Sequence, residues 1–394
     1  MNTILQSIPP IAGDCAGALQ VLSSFPGLHF LYGPKGCLAS IRAVQNMEPF
    51  VQNPILAFGM SEIDAVMGME EKILEQVPEL AKAYPAKGLL TLTGSPIPAV
   101  SGIDLRMLAK NIEERLDMPV IAVAASGFES CYYGMQQAWL ALAERFLTPG
   151  NKRARCLNIM GASALSLGKS ACLDELIGLI ERCGLELGCI FDRCEDVAAL
   201  QHSTEAAFNL VLGHEAIGLA GFFEKHFGIP YKVLYPAGCW GMQELIELLE
   251  DRFNITIPHC EKEYYTVEQH KKNSTRAALA APPALAEGLR RCLHEEWGFG
   301  DIRVLAYMPE ARKELRLWRG EFSADLVVSE DEQLIRQSFN DVDFIFADPV
   351  FSDFSGGSCF IPLVQPCISG QLFSEQGACL IGKAGHAYLA EHIT

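Results

Sequence analysis

Short runs of unbroken apolar residues alternate along this chain with longer stretches whose apolar positions recur three and four residues apart. The first kind predicts strands buried on both faces, the second amphipathic helices. In the first segment, strands are expected at His29–Tyr32, Ile55–Phe58, Gly88–Thr93 and Pro119–Ala124, with helices at Leu38–Asn46, Met69–Tyr84, Ile103–Leu116 and Met135–Phe146. Ser61 in Ser61-Glu62-Ile63-Asp64 has the composition of a helix N-cap. Leu147–Asn151 reads as a linker, after which the alternation restarts. Strands are expected at Cys156–Met160, Glu186–Phe191, Phe208–Leu212 and Tyr231–Leu234, and helices at Cys172–Cys183, Asp196–His202, Ala216–Phe227 and Trp240–Arg252. Cys260–Ser274 is polar and aperiodic and reads as a second connection. A third segment offers strands at Arg276–Ala281, Arg303–Tyr307, Asp325–Val328, Val342–Ala347 and Ile361–Val364, with helices at Ala284–Trp297 and Leu380–His392. The fold class is therefore α/β with mostly parallel sheets, in three parts spanning 1–150, 151–270 and 271–394.

Composition narrows the function. A formal net charge of −17 argues against a nucleic-acid partner, which requires a basic surface. No apolar run reaches the roughly 18–20 residues of a membrane span, so no membrane association is expected. Met1–Pro10 lacks a basic start and a long apolar core, so no signal peptide is expected. The 14 cysteines are scattered through apolar strands and helices, without the spacing of a disulfide framework. A reducing cytoplasm is the expected compartment.

The densest chemistry lies at His29–Cys37. A strand runs into Gly33-Pro34-Lys35-Gly36, a tight turn, and Cys37 opens the next helix, where backbone N–H groups and the helix dipole favour a thiolate. Cys15 sits in Gly13-Asp14-Cys15-Ala16-Gly17, also among small residues that would let a bulky group approach. Two readings stand on the residues alone: buried structural thiols in glycine-rich turns, or ligands. Gly161–Ser170 looks like a phosphate-binding loop but places Ser163 where the first glycine belongs, so no nucleotide binding is expected. His259, Cys260 and His270 lack the paired cysteines of a zinc site. His214-Glu215 follows a strand at the end where α/β ligands bind, although a lone histidine there also suits a capping role.

Taken in order, Tyr32-Gly-Pro-Lys-Gly-Cys37, Ser61-Glu-Ile-Asp64 with Val66-Met-Gly68, Thr93-Gly-Ser-Pro96 with Gly102-Ile-Asp104, Gly127-Phe128 with Gly134, Asn158-Ile-Met-Gly161, Asn209-Leu-Val-Leu212, Phe227-Gly-Ile-Pro230 and Gly382-Lys-Ala-Gly385 resemble the nitrogenase component 1 superfamily, which includes dark-operative protochlorophyllide reductase and related tetrapyrrole reductases. The resemblance spans essentially the whole chain. It implies three Rossmann-like domains around a central cleft. It also implies pairing as a homodimer or with a related subunit, and an iron–sulfur cluster near the pairing axis, fed by an ATP-hydrolysing iron protein. Cys15 and Cys37 match cluster cysteines, and Gly36, Gly94, Ser95 and Gly213 match cofactor-binding positions.

Two departures from the family pattern are informative. Ser95 stands where a third cluster cysteine is usual; Cys131, beside Ser130, is a candidate replacement. Alternatively, two cysteines from each of two subunits complete a shared [4Fe–4S] cluster. Gly213 stands where nitrogenase carries its cofactor cysteine, and no counterpart of the cofactor histidine is found, since His386 falls in the final helix. Dinitrogen reduction is therefore not expected. A nitrogenase-like reductase acting on a small molecule, with tetrapyrrole-like compounds among the candidates, is the leading expectation, and His214 is its expected acid. A scaffold for metal-cofactor maturation, or a non-catalytic cofactor-binding protein, is the alternative.

Overall fold

The computed structural model describes residues 13–393, except 35, 38–52, 54, 84–87, 117, 168–171, 195, 269, 271–273, 308–321, 323–325, 330 and 370–377. The helix expected at Leu38–Asn46 lies outside the described residues. The chain separates into two compact bodies: Ile11–Gly150 with Arg193–Thr204, and Asn151–Asp192 with Glu205–Thr394 and the first ten residues.

In the first body, α1 (Asp14–Leu22) precedes β1 (Gly27–Pro34) and β2 (Ile55–Met60). Helices α2 (Glu62–Met67) and α3 (Glu70–Ala83) lead to β3 (Leu89–Thr93). Then come α4 (Pro96–Val100), α5 (Leu105–Glu113), β4 (Val120–Val123) and α6 (Cys131–Phe146). The sheet order is β2-β1-β3-β4, with every ladder parallel. Its strands are apolar on both faces because helices cover both. Phe30 and Phe58 stack at 4.8 Å between ring centres, and Ile73, Val77, Leu108 and Ile112 pack into the same core. Ser61 caps α2 as expected: its hydroxyl accepts from the Asp64 amide, while Asp64 Oδ2 accepts from the Ser61 amide at 3.0 Å. Helix α6 begins at Cys131, four residues before the expected start, because Ser130 Oγ accepts from the Tyr133 amide at 3.0 Å and so sets the N-cap. Mid-strand His29 is fully buried; Nε2 donates to the Phe25 carbonyl and Nδ1 accepts from Thr91 Oγ1, both at 3.0 Å. Burial holds its imidazole at about 4, hence neutral. Residues 193–204 contribute α9 (Val197–His202), tied to the end of the first segment by paired Gln201–Thr148 hydrogen bonds.

The second body carries two parallel sheets. One takes β5 (Arg153–Met160), β6 (Glu186–Ile190), β7 (Ala206–Val211) and β8 (Tyr231–Val233) in the order β6-β5-β7-β8. The other takes β9 (Arg276–Ala280), β10 (Asp301–Tyr307), β11 (Val327–Ser329), β12 (Phe344–Ala347) and β13 (Cys359–Pro362) in the order β11-β10-β9-β12-β13. The helices are α7 (Ala164–Leu167), α8 (Cys172–Arg182), α10 (Ile217–Phe227), α11 (Gly238–Phe253), α12 (His259–Tyr264), α13 (Pro283–Glu295), α14 (Glu332–Ser338), α15 (Pro366–Ser369) and α16 (Gly382–Ile393). Leu245, Leu249 and Met242 of α11 pack in one continuous core with Leu289 and Leu293 of α13, Leu157 and Leu210 of the first sheet, and Leu279 and Phe346 of the second. The second connection was expected to be irregular, but it contains α12 and anchors in that core through Tyr265, which is fully buried. Two adjacent tyrosines among charged residues leave no periodicity to read.

All three sheets are of the Rossmann type, and in each the strand order reverses once: between β1 and β3, between β5 and β7, and between β9 and β12. The carboxyl ends of the strands at such a reversal leave a crevice between diverging loops, which is where open α/β sheets bind ligands.

Candidate functional site

At the β1/β3 reversal, Gly36 and Cys37 are helical immediately after β1, and Ser95 follows β3. Cys15 is in the first turn of α1, almost buried. Charge on Cys37 adds only a small part to the rise in the Cys15 pKa, after burial and Asp14. Burial pushes both thiols up, and for Cys15 the neighbouring Asp14 carboxylate adds to the effect. At Cys37, where the sequence suggests a helix-stabilised thiolate, burial acts the other way and raises the thiol.

Asp14 was not anticipated, yet it organises this corner. Its buried carboxylate accepts from the amides of Ser126 at 2.7 Å, Gly127 at 2.6 Å and Cys15 at 2.8 Å, and from Ser126 Oγ at 3.2 Å. It thereby joins α1 to the loop after β4. Gly17 lies against the Cys131 carbonyl and Gly134 against that of Asp14, so close that neither could carry a Cβ without displacement. Helices α1 and α6 thus meet backbone to backbone, which places Cys15 beside the start of α6. A sequence signal existed: glycines at 17 and 134, each inside an otherwise helical stretch.

Ser95 is buried, and its hydroxyl donates to the Tyr32 carbonyl at 2.8 Å, bridging the ends of β3 and β1. Gly94 lacks room for a side chain, since a Cβ would lie 2.6 Å from the Ala125 carbonyl oxygen. Gly36 is exposed, and among the described residues nothing lies where its Cβ would be. Cys131 is buried in the first turn of α6; among the described residues its thiol does not join Cys15 and Cys37 within 4.8 Å.

At the β5/β7 reversal, Gly161 has φ +71° and its Cα faces the Gly213 backbone, where a Cβ would meet the Gly213 nitrogen at 2.6 Å. Gly213 is in turn covered by the Glu215 carboxyl group, whose carbon lies 2.5 Å from where a Gly213 Cβ would stand. His214 and Glu215 begin a short 3-10 turn leading into α10, and both are buried. Ser166 Oγ donates to Glu215 Oε1 at 2.6 Å, while Oε2 has no hydrogen-bond partner among the described residues. His214 Nδ1 stands 3.6 Å from Oε2. Asp192, following β6, accepts from the Ala162 amide at 2.8 Å. Burial is the main force on each group. It lifts Glu215 to about 8, with Asp192 adding to the rise and Ser166 opposing it, and lifts Asp192 to about 6. His214 is held down at about 3. The imidazole is thus neutral at neutral pH, and the group able to carry a proton there is the carboxyl of Glu215. The sequence shows a histidine with an ordinary pKa beside a carboxylate; burial, which the sequence does not show, lowers the one and raises the other.

Among the described residues no helix is long and apolar enough to cross a membrane. Among the described residues the cysteines form no disulfide.

Residues 14–348 match the family model of nitrogenase component 1 type oxidoreductases. Among curated proteins, the chain is 24% identical over 275 residues to the nitrogenase iron-molybdenum cofactor biosynthesis protein NifE of Methanococcus maripaludis, covering 64% of this chain and 56% of that protein. It is 21% identical over 225 residues to a light-independent protochlorophyllide reductase subunit of Dinoroseobacter shibae, covering 55% and 43%. The chain spans about half the length of the curated relatives it matches. Among solved structures, nitrogenase Cp1 at pH 6.5 superposes with a TM-score of 0.77 at 18% identity, over 100% of this chain and 93% of that one, which establishes a shared fold. The chain belongs to the nitrogenase component 1 type oxidoreductase family.

Proposed function

We propose that this chain is the substrate-reducing component of a nitrogenase-like system. In this reading Cys15 and Cys37 hold one side of a [4Fe–4S] cluster completed by two thiolates of a second copy or a related subunit, and Glu215 supplies protons to a small unsaturated molecule bound beside Gly213. The observation that carries it is the state of Glu215: a buried carboxyl, uncharged at neutral pH, at a strand reversal, over the glycine that matches the family's cofactor cysteine.

The donor set fits such a cluster in part. Cys15 and Cys37 would supply two of the four ligands, and among the described residues nothing lies where a Gly36 Cβ would stand. A cluster held there supplies one-electron transfer when bound. Exposed Ile63, Val66 and Met67 of α2 and Phe128 give the same body an apolar surface that suits a subunit or electron-donor contact. An ATP-dependent iron protein is the donor this family membership suggests.

The remaining chemistry falls to the chain's own residues. Reduction of a double bond consumes protons, and a carboxylic acid with a pKa near the working pH is an efficient donor. Ser166 holds Oε1, which leaves Oε2 facing Gly213 as the atom from which a proton can leave. After donation the carboxylate would be buried, which favours prompt reprotonation. His214, neutral and packed against Glu215, serves in this reading as a positioning group, so the acid role expected of it passes to Glu215.

The likeness to cofactor biosynthesis proteins favours a second reading, a scaffold on which a metal cofactor is built. Iron and sulfide analysis of anaerobically purified protein separates the two. The reductase reading predicts about four irons per two chains, reduced by an iron protein with MgATP and reoxidised by an acceptor. Iron well beyond that amount, transferable to another protein, would instead establish the scaffold.

A further inference from the structure

Away from the β1/β3 and β5/β7 reversals, three helices of the second body bring together Cys239 in the first turn of α11, Glu296 just past the end of α13, and His386 in the second turn of α16. We propose that these three side chains form a binding site for a zinc-class divalent cation, independent of the cluster and of the reductase reading.

One ligand atom from each residue lies within 4.8 Å of the other two. Donors around zinc, at metal distances of roughly 2.0–2.3 Å, stand roughly 3–4 Å apart, so modest side-chain rotation closes the set. A thiolate, an imidazole and a carboxylate together match a borderline-soft ion rather than calcium or magnesium, which prefer all-oxygen shells. Cys239 and Glu296 are buried, whereas the His386 side chain is 32% exposed. The site therefore has a dry floor and one open side, the arrangement that leaves a coordination position for water or a small ligand.

The surroundings hold the ligands in place. Glu296 Oε2 accepts from the Trp240 amide at 2.8 Å and from the Cys292 thiol at 3.6 Å, which fixes the carboxylate plane. Oε1 is left toward His386 Nδ1, 2.5 Å away, where a cation would replace the shared proton. The His386 ring lies against Trp297, with centres 5.3 Å apart and planes 27° apart, and the His270 ring also stacks on Trp297 at 5.0 Å. Gly238 at φ +61° keeps the floor clear, since a Cβ there would lie 2.8 Å from Glu296 Oε2. Outer contacts that orient metal ligands in this way are half of a metal site's construction. The competing role is structural: Glu296 caps α11 and pairs with His386, and no cation binds.

The test is titration of the reduced, chelator-treated full chain with Co²⁺ alone, following stoichiometry, absorption and tryptophan fluorescence. Wild type should bind one equivalent more than His386→Gln. That equivalent should carry thiolate-to-cobalt charge-transfer absorption, absent in Cys239→Ser, and should quench part of the tryptophan emission through Trp297. His386→Gln is the deciding variant because its side chain is partly exposed and its far-UV circular dichroism should match wild type. Equal stoichiometry and identical spectra in wild type and folded His386→Gln would overturn the proposal.

Discussion

Replacing Glu215 by Gln isolates the electrostatics on which the proposed proton delivery depends. The substitution keeps the shape and a carbonyl oxygen for the Ser166 hydroxyl, but removes the ionisable group. In the folded chain Glu215 titrates at about 8, against 4.5 for the free side chain. The unfolded chain loses this proton first, so folding favours the protonated form. That contribution is complete below pH 4.5 and is lost as pH rises through 8. The histidines work in the opposite sense: His29 and His214, held at about 4 and about 3, weaken the fold as pH falls below 6.5. Above pH 6.5 they are neutral in both states, and Asp192, at about 6, is largely ionised. The window from pH 6.5 to 8 therefore belongs to Glu215. Over those 1.5 pH units wild type should lose roughly 1.6 kcal/mol relative to Glu215→Gln, less than the full value of about 1.36 kcal/mol per unit because Glu215 is half ionised in the folded chain at pH 8. Urea unfolding under reducing, anaerobic conditions at pH 6.5 and pH 8.0 measures the difference, and the infrared carboxylic C=O stretch assigned by the same substitution reports the protonation state directly. Parallel pH profiles for the two proteins, with no protonated carboxyl band at pH 6.5, would refute the reasoning.

Two further outcomes probe the packing. Gly134→Ala drives a methyl into the Asp14 carbonyl where α1 meets α6, and should cost roughly 1–3 kcal/mol or more in urea unfolding. By contrast Gly221→Ala, in α10 with open space around it, should be neutral or stabilising by roughly 0.5–1 kcal/mol. Because the folded pKa of His29 lies about 2.5 units below its ordinary 6.5, His29→Gln should remove up to roughly 3 kcal/mol of the stability lost between pH 6.5 and 4, measured against wild type across that range.

The three parallel sheets were legible because their strands are apolar on both faces and their helices are not, a contrast that survives without any contact information. β1, β3 and β9 show it most plainly. Less legible were elements set by a single contact. Helix α6 starts at Cys131 because of one serine hydroxyl, and α14 starts behind Asp331, whose carboxylate accepts from the Gln333 amide. The shared core of the second and third sheets also lay beyond reach, because apolar faces do not say which partner they meet. In the candidate site, Cys15 and Cys37 stand out through their small-residue surroundings; the structure sets Cys15 in the first turn of α1 and Cys37 just after β1. Asp14 and Glu215 were missed because acidic side chains at helix starts are ordinarily exposed caps. Both are buried, which the sequence does not show.

The central claim is that Cys15 and Cys37 are cluster ligands. It is tested most directly by iron, acid-labile sulfide and electron paramagnetic resonance of the dithionite-reduced protein, purified anaerobically as wild type, Cys15→Ala and Cys37→Ala. Wild type should carry about four irons and four sulfides per two chains, and each variant should lose the cluster while keeping its far-UV circular dichroism. A full cluster in both variants, or none in strictly anaerobic wild type, would contradict it.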